Sequence, residues 1–153
     1  MYIPSSVLSI DWHSFSGCTS LKTIEVDSNN KVYDSRDNCN AIIQSGSDKL
    51  IVGSKNTVIP NNINSIGEYA FYNCSTLVTL IIPQNVKSIG RLVFKGCIGL
   101  KSLYCKSTTP PTFDDYKSYE SPLPSATLYV PKGSVSAYKS AGWGYCFSNI
   151  VEE

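Results

Sequence analysis

The chain has 153 residues, of which 42% are hydrophobic and 16% charged, with a formal net charge of +1. That length suits one domain around one continuous core. The near balance of charges, with no long run of either sign, argues against a nucleic-acid or anionic-membrane binder, and no stretch approaches the eighteen or so apolar residues of a transmembrane helix.

Residues 3–26, IPSSVLSIDWHSFSGCTSLKTIEV, contain the unit that organises the chain. It returns at 59–82 as IPNNINSIGEYAFYNCSTLVTLII and at 82–105 as IPQNVKSIGRLVFKGCIGLKSLYC. Pro60 and Pro83, Phe71 and Phe94, Cys74 and Cys97, and Leu77 and Leu100 are each 23 residues apart, and Phe15, Cys18 and Leu21 hold the same places in the first copy. A fixed period in this range marks a stacked repeat protein. Leu77, Leu80 and Ile82 fit L-x-x-L-x-L, the strand portion of a leucine-rich repeat. Period-2 alternation turns Leu80 and Ile82 to one face, and Thr79 and Ile81 to the other. Proline follows, a residue without a donor that suits a strand end. Val86 to Ile89 should form a second extended stretch, and a turn around Leu92 to Phe94 should insert Phe94 inward. Burying each repeated Phe, Leu or Ile contributes about 1.5–3 kcal/mol, and only stacked copies can bury them. Phe15, Phe71 and Phe94 are therefore expected to share one interior.

Residues 27–58 interrupt the period and form a variant unit. Asn40 to Ile43 and Lys49 to Val52 are expected to pair around the turn Ser45 to Asp48. The resulting hairpin either projects from the stack or replaces a half-coil. After the third copy, 106–125 reads as a polar loop containing Tyr116 and Tyr119. Leu128-Tyr129-Val130-Pro131 repeats the strand-end rhythm as a last rung, Ser134 to Lys139 are expected to form a short helix, and Trp143, Phe147 and Ile150 to cover the open end of the stack, so that 126–153 is the last strand and cap. The expected domain is a single repeat array over 1–153, with repeats at 3–26, 59–81 and 82–105 besides the variant unit. The first copy has no such cap and no signal peptide precedes it, so a fragment of a longer exported protein is expected rather than a small intracellular one.

The run IP-x-x-V-x-SIG-x-x-AF-x-x-C-x-x-L, nearly intact at Ile59–Leu77 and slightly altered at Ile82–Leu100, resembles the BspA-like class of bacterial leucine-rich repeats. The unit Val26–Pro60 and the ending LYVPKGSVSAYKSAGWGYCFSNIVEE are similar to segments of the same family. The resemblance implies a β-rich α/β solenoid: a right-handed leucine-rich repeat stack with short parallel strands, a projecting hairpin and a C-terminal capping segment. It implies a surface-attached or secreted bacterial protein of adhesin or antigen type, whose partner is a protein, host extracellular matrix among the candidates. It brings no catalytic residues. The first copy departs from the pattern at Trp12-His13-Ser14.

The residues themselves offer little chemistry. His13 is the one histidine; Asp11 and Ser14 lie near it, but a coil rim supplies no pocket to orient an imidazole. No catalytic residue, metal or cofactor is assigned. Of the six cysteines, Cys18, Cys74 and Cys97 occupy equivalent positions and should point inward as buried thiols; an occasional bridge stays open in an exported setting. No C-x-x-C pair suggests zinc. Asp27, Asn29, Asp34, Asp37 and Asn38 fit no calcium loop, and Asn73-Cys74-Ser75 reads as buried rather than glycosylated. The remaining candidate is the outward strand face: Thr23, Glu25, Thr79, Ile81, Ser102, Tyr104 and Tyr129. It suits a protein-binding module, while a spacer without a ligand and a carbohydrate-binding surface are the competing readings.

Overall fold

The computed structural model describes residues 1–11, 14–15, 17–18, 20–113, 123 and 125–153. In chain order the strands are β1 (Tyr2–Ile3), β2 (Glu25–Val26), β3 (Tyr33–Asp34), β4 (Ile42–Gln44), β5 (Lys49–Val52), β6 (Ser65–Ile66), β7 (Thr79–Ile82), β8 (Ser88–Ile89), β9 (Ser102–Cys105), β10 (Thr112–Phe113), β11 (Thr127–Val130) and β12 (Asn149–Glu152). The helix α1 covers Val135–Ser140. Each regular turn contributes one strand to each of two sheets. One sheet runs β12-β11-β9-β7, parallel throughout; the other runs β10-β8-β6-β5-β4-β3, parallel as far as β5. β1 and β2 form a separate parallel pair. The chain is a leucine-rich repeat solenoid.

Between the end of one strand pair and the start of the next, the chain turns sharply. The residue before each repeated cysteine is left-handed: Gly17 (φ 77°), Asn73 (φ 55°) and Gly96 (φ 78°). Glycine and asparagine are the residues that tolerate this conformation. Backbone bonds then tie one turn to the next, with the N–H groups of Tyr69, Phe71 and Asn73 donating to the carbonyls of Arg91, Val93 and Lys95 at 2.7–3.1 Å. Spacing between turns leaves no room at Gly90, where a Cβ would lie 2.5 Å from the Glu68 nitrogen.

The main core runs through this stack. Phe71 and Phe94 are buried with their rings stacked, centroids 6.2 Å apart, and Cys74, Cys97, Leu77 and Leu100 are buried in the same cluster. The Cys97 thiol donates to the Phe71 carbonyl at 3.1 Å.

The first copy differs. Phe15 and Leu21 are half-buried and pack against a smaller cluster of Ile3, Ile24, Val26, Tyr33, Ile42 and Val52, while Cys18 is exposed. The expectation of one interior shared by Phe15, Phe71 and Phe94, with Cys18 inward, is therefore corrected. The cause lies in the variant unit, which passes from β5 to Ile59 by a short turn, where regular copies insert a full Phe-Cys-Leu segment. Phe15, Cys18 and Leu21 instead meet Phe71 and Cys74 across a small cavity that Val52 and Gly53 also line.

The hairpin β4–β5 forms as expected, but it does not project. β5 pairs parallel with β6, so the hairpin extends the sheet, and Ile42, Ile43 and Leu50 are wholly buried. Arg36 pins its turn against β3, donating to both Asp34 oxygens (2.8 and 2.6 Å) and to Asp48 (2.7 Å), while Ser45 Oγ donates to Asp34 at 2.6 Å. Burial alone would raise the Asp34 carboxyl, but the bonds from Arg36 and Ser45 outweigh it and hold Asp34 below the usual carboxylate range.

Two strands fall where none was expected. β10 lies inside the predicted polar loop, and β12 adds a rung beyond Tyr129, so Leu128–Pro131 is not the last. The rest of that loop, 114–122 and 124 with Tyr116 and Tyr119, lies outside the described residues. Trp143 and Phe147 are buried at this end, and Trp143 donates to the Pro111 carbonyl (3.2 Å) while Tyr138 donates to the Ser107 carbonyl (2.7 Å).

Candidate binding face

The register of the four-stranded sheet assembles two outward rows. Thr79, Ser102, Thr127 and Asn149 align in one; Ile81, Tyr104, Tyr129 and Val151 align in the other. The side chains between them, Leu80, Leu103, Leu128 and Ile150, are buried. One face of the sheet is thus fixed to the core while the other meets solvent.

Within the second row the Tyr104 and Tyr129 rings stack, with centroids 4.5 Å apart and planes 12° from parallel. Ile81 beside them is 51% exposed. Lys106 places its Nζ 5.3 Å from the Tyr104 centroid and pairs with both Glu153 carboxylate oxygens at 2.8 and 2.6 Å. The cation is held by the ring and the carboxylate together. In the polar row, Asn149 Nδ2 donates to Thr127 Oγ1 at 3.0 Å. The result is a preformed strip, aliphatic at one end, aromatic in the centre and charged along one margin.

Of the residues singled out from sequence, Thr79, Ile81, Ser102, Tyr104 and Tyr129 come together on this face. Thr23 and Glu25 do not join them. Both are exposed, but Glu25 lies in the separate β1–β2 pair and Thr23 just precedes it. Thr127, Asn149, Val151, Lys106 and Glu153 were missed. The alternation of Asn149 to Val151 was the available signal for β12, too short to stand out from the cap.

The other candidates resolve structurally. Asp27 accepts from the Tyr2 hydroxyl and from the Asn29 N–H, and Asp34 is engaged by Arg36. No group of three or more His, Cys, Asp or Glu side chains suited to a metal occurs among the described residues. His13 and Trp12 lie outside them. Burial pushes the Cys97 thiol up to about 12 and raises Cys39, Cys74 and Cys105 as well. These are packed thiols, not nucleophiles. No helix is long and apolar enough to cross a membrane among the described residues.

The sequence pattern of the BspA type leucine-rich repeat region matches in six copies, over residues 1–45 and 51–132. The chain belongs to the BspA-type leucine-rich repeat family. Among solved structures it is similar to a leucine-rich repeat protein from Eubacterium ventriosum, at 23% identity and a TM-score of 0.50, over 85% of this chain and 41% of that one. It is also similar to the pneumococcal vaccine antigen PcpA, at 19% identity and a TM-score of 0.40, over 99% of this chain and 55% of that one. The chain thus spans roughly half or less of the length of either protein. No curated protein sequence matches it.

Proposed function

We propose that the chain is a non-catalytic protein-binding segment of a bacterial cell-surface or secreted protein of adhesin or antigen type. It meets its partner, for which host extracellular matrix is the leading class, through the row Ile81, Tyr104 and Tyr129. The observation that carries this reading is the stacked tyrosine pair beside an exposed isoleucine on a rigid sheet. Rigid aromatic side chains supply contact area at low entropic cost and recur at binding hot spots. Thr79 and Ser102 supply hydroxyls along the neighbouring row, and the face holds no nucleophile paired with a base. A sugar-stacking platform is less well served, because each tyrosine ring already gives one face to the other.

The test is binding of the intact chain to a panel of immobilised matrix proteins, measured by biolayer interferometry. Tyr104→Ala and Tyr129→Ala should each weaken a saturable interaction at least tenfold, with unchanged far-ultraviolet circular dichroism. Saturable binding that both variants retain would remove this face from the interaction. Failure to bind any matrix protein would favour a spacer.

A further inference from the structure

The ladder of parallel strands breaks at β7, which forms the edge of its sheet. Ser102 and Lys106 in the β9 turn donate to the carbonyls of Val78 and Ile82 at 3.2 and 3.0 Å. Alternation along the strand therefore directs the backbone of Leu80 toward β9, and the N–H and C=O groups of Thr79 and Ile81 to the opposite side. Among the described residues no backbone bond reaches Thr79 or Ile81 from that side.

The segment that should supply the next strand is held elsewhere. Val58 occupies the repeat position of Ile81, yet its N–H donates to the Cys39 carbonyl at 3.0 Å. Thr57 Oγ1 donates to the Asn40 carbonyl at 2.8 Å. Both contacts draw the segment toward the Cys39–Asn40 stretch within the variant unit. The two turns meet again at Asn61 and Asn85, where Asn85 Nδ2 donates to the Asn61 carbonyl at 2.7 Å. Between them lies a groove of about 800 Å³. Ile59 and Leu80 line its buried base, and Val58 and Ile81 are 71% and 51% exposed along it.

We propose that this groove takes an extended peptide segment of a partner protein, which adds as a strand to the free edge of β7. Thr79 and Ile81 each present an unpaired donor and an unpaired acceptor at strand spacing, a pattern that a peptide backbone matches. Among the described residues Asp37 and Lys106 are the only charged ones that line it, and Lys106 is already paired with Glu153. The segment that fits is therefore uncharged, with apolar or β-branched side chains at alternate positions to cover Val58 and Ile81. This site goes beyond the tyrosine row, because its bonds come from backbone rather than from rings.

The experiment uses the intact chain and a fluorescein-labelled peptide of alternating threonine and valine with lysine at both ends. Amide hydrogen exchange should show Thr79 and Ile81 exchanging at least tenfold faster than Leu80 and Ile82 in the free chain, and slowing when the peptide is added. Ile81→Pro removes the groove-facing donor at an edge position where proline leaves the other ladder intact. It should weaken peptide binding at least tenfold by fluorescence anisotropy, as should Val58→Arg, which places a charge in the groove. Protection of the β9 amides serves as the check that both variants fold. Tyr104→Ala should leave peptide binding unchanged, so loss of matrix binding and loss of peptide binding are separable. Slow exchange at Thr79 and Ile81 in the free chain, no peptide binding, or binding indifferent to both groove variants would overturn the proposal.

Discussion

Phe94→Ala removes a ring that is wholly buried and stacked on Phe71 with planes 27° apart. Truncating a buried phenylalanine in a packed core costs about 3–5 kcal/mol, of which a stacked aromatic pair accounts for about 0.5–1.5 kcal/mol. Domains of ordinary size are stable by only about 5–15 kcal/mol, so the variant should fold but melt early. Phe15→Ala offers the contrast, since this half-buried ring sits over the smaller cluster. Its loss should cost less than about 2 kcal/mol, because full burial is worth about 1.5–3 kcal/mol. Equilibrium urea unfolding, followed by far-ultraviolet circular dichroism and by tryptophan fluorescence, measures both. The double variant with Phe71→Ala should depart from additivity by at least about 0.5 kcal/mol. Equal costs for Phe15→Ala and Phe94→Ala, or additive behaviour of Phe71 and Phe94, would refute the two-cluster account.

Gly90→Ala should destabilise the chain clearly in the same urea assay, because its Cβ would meet the Glu68 backbone, whereas Gly46→Ala has open space around it and should be nearly neutral. Maleimide titration should label one thiol, Cys18, in the native chain and all six after unfolding, since the other five are buried. Burial raises the folded-state Cys97 thiol to about 12, above an unfolded value of about 8.5. Its contribution is therefore complete below that unfolded value and is lost as pH rises toward the folded one; urea midpoints should fall across this window, and less steeply in Cys97→Ala. Asp34 is lowered in the fold, so its contribution is present above its unfolded value and lost as pH falls through the folded one. Asp34→Asn should flatten that acid limb by less than about 1 kcal/mol, because the pair with Arg36 is partly exposed.

The repeat itself was legible because equivalent residues do equivalent work in successive turns. Proline at 60 and 83 ends a strand, Phe71 and Phe94 fill the interior, and Leu80 to Ile82 alternate between faces; each is a local consequence of side-chain size, backbone freedom and period-2 geometry. That was enough to obtain the family, the hairpin and the outward position of Ile81, Tyr104 and Tyr129. What lay beyond it depends on which turn rests on which. The short link after β5 omits the Phe-Cys-Leu segment of a regular copy, and beside it Cys18 is exposed despite its place in the motif. Pairing across more than twenty residues, rather than local preference, recruits β10 and β12, aligns the two tyrosine rings and leaves the β7 edge unpaired. Strand spacing in sequence specifies the rungs of this solenoid, but hydrogen-bond partners and exposure are properties of neighbouring turns, and only the folded stack decides them.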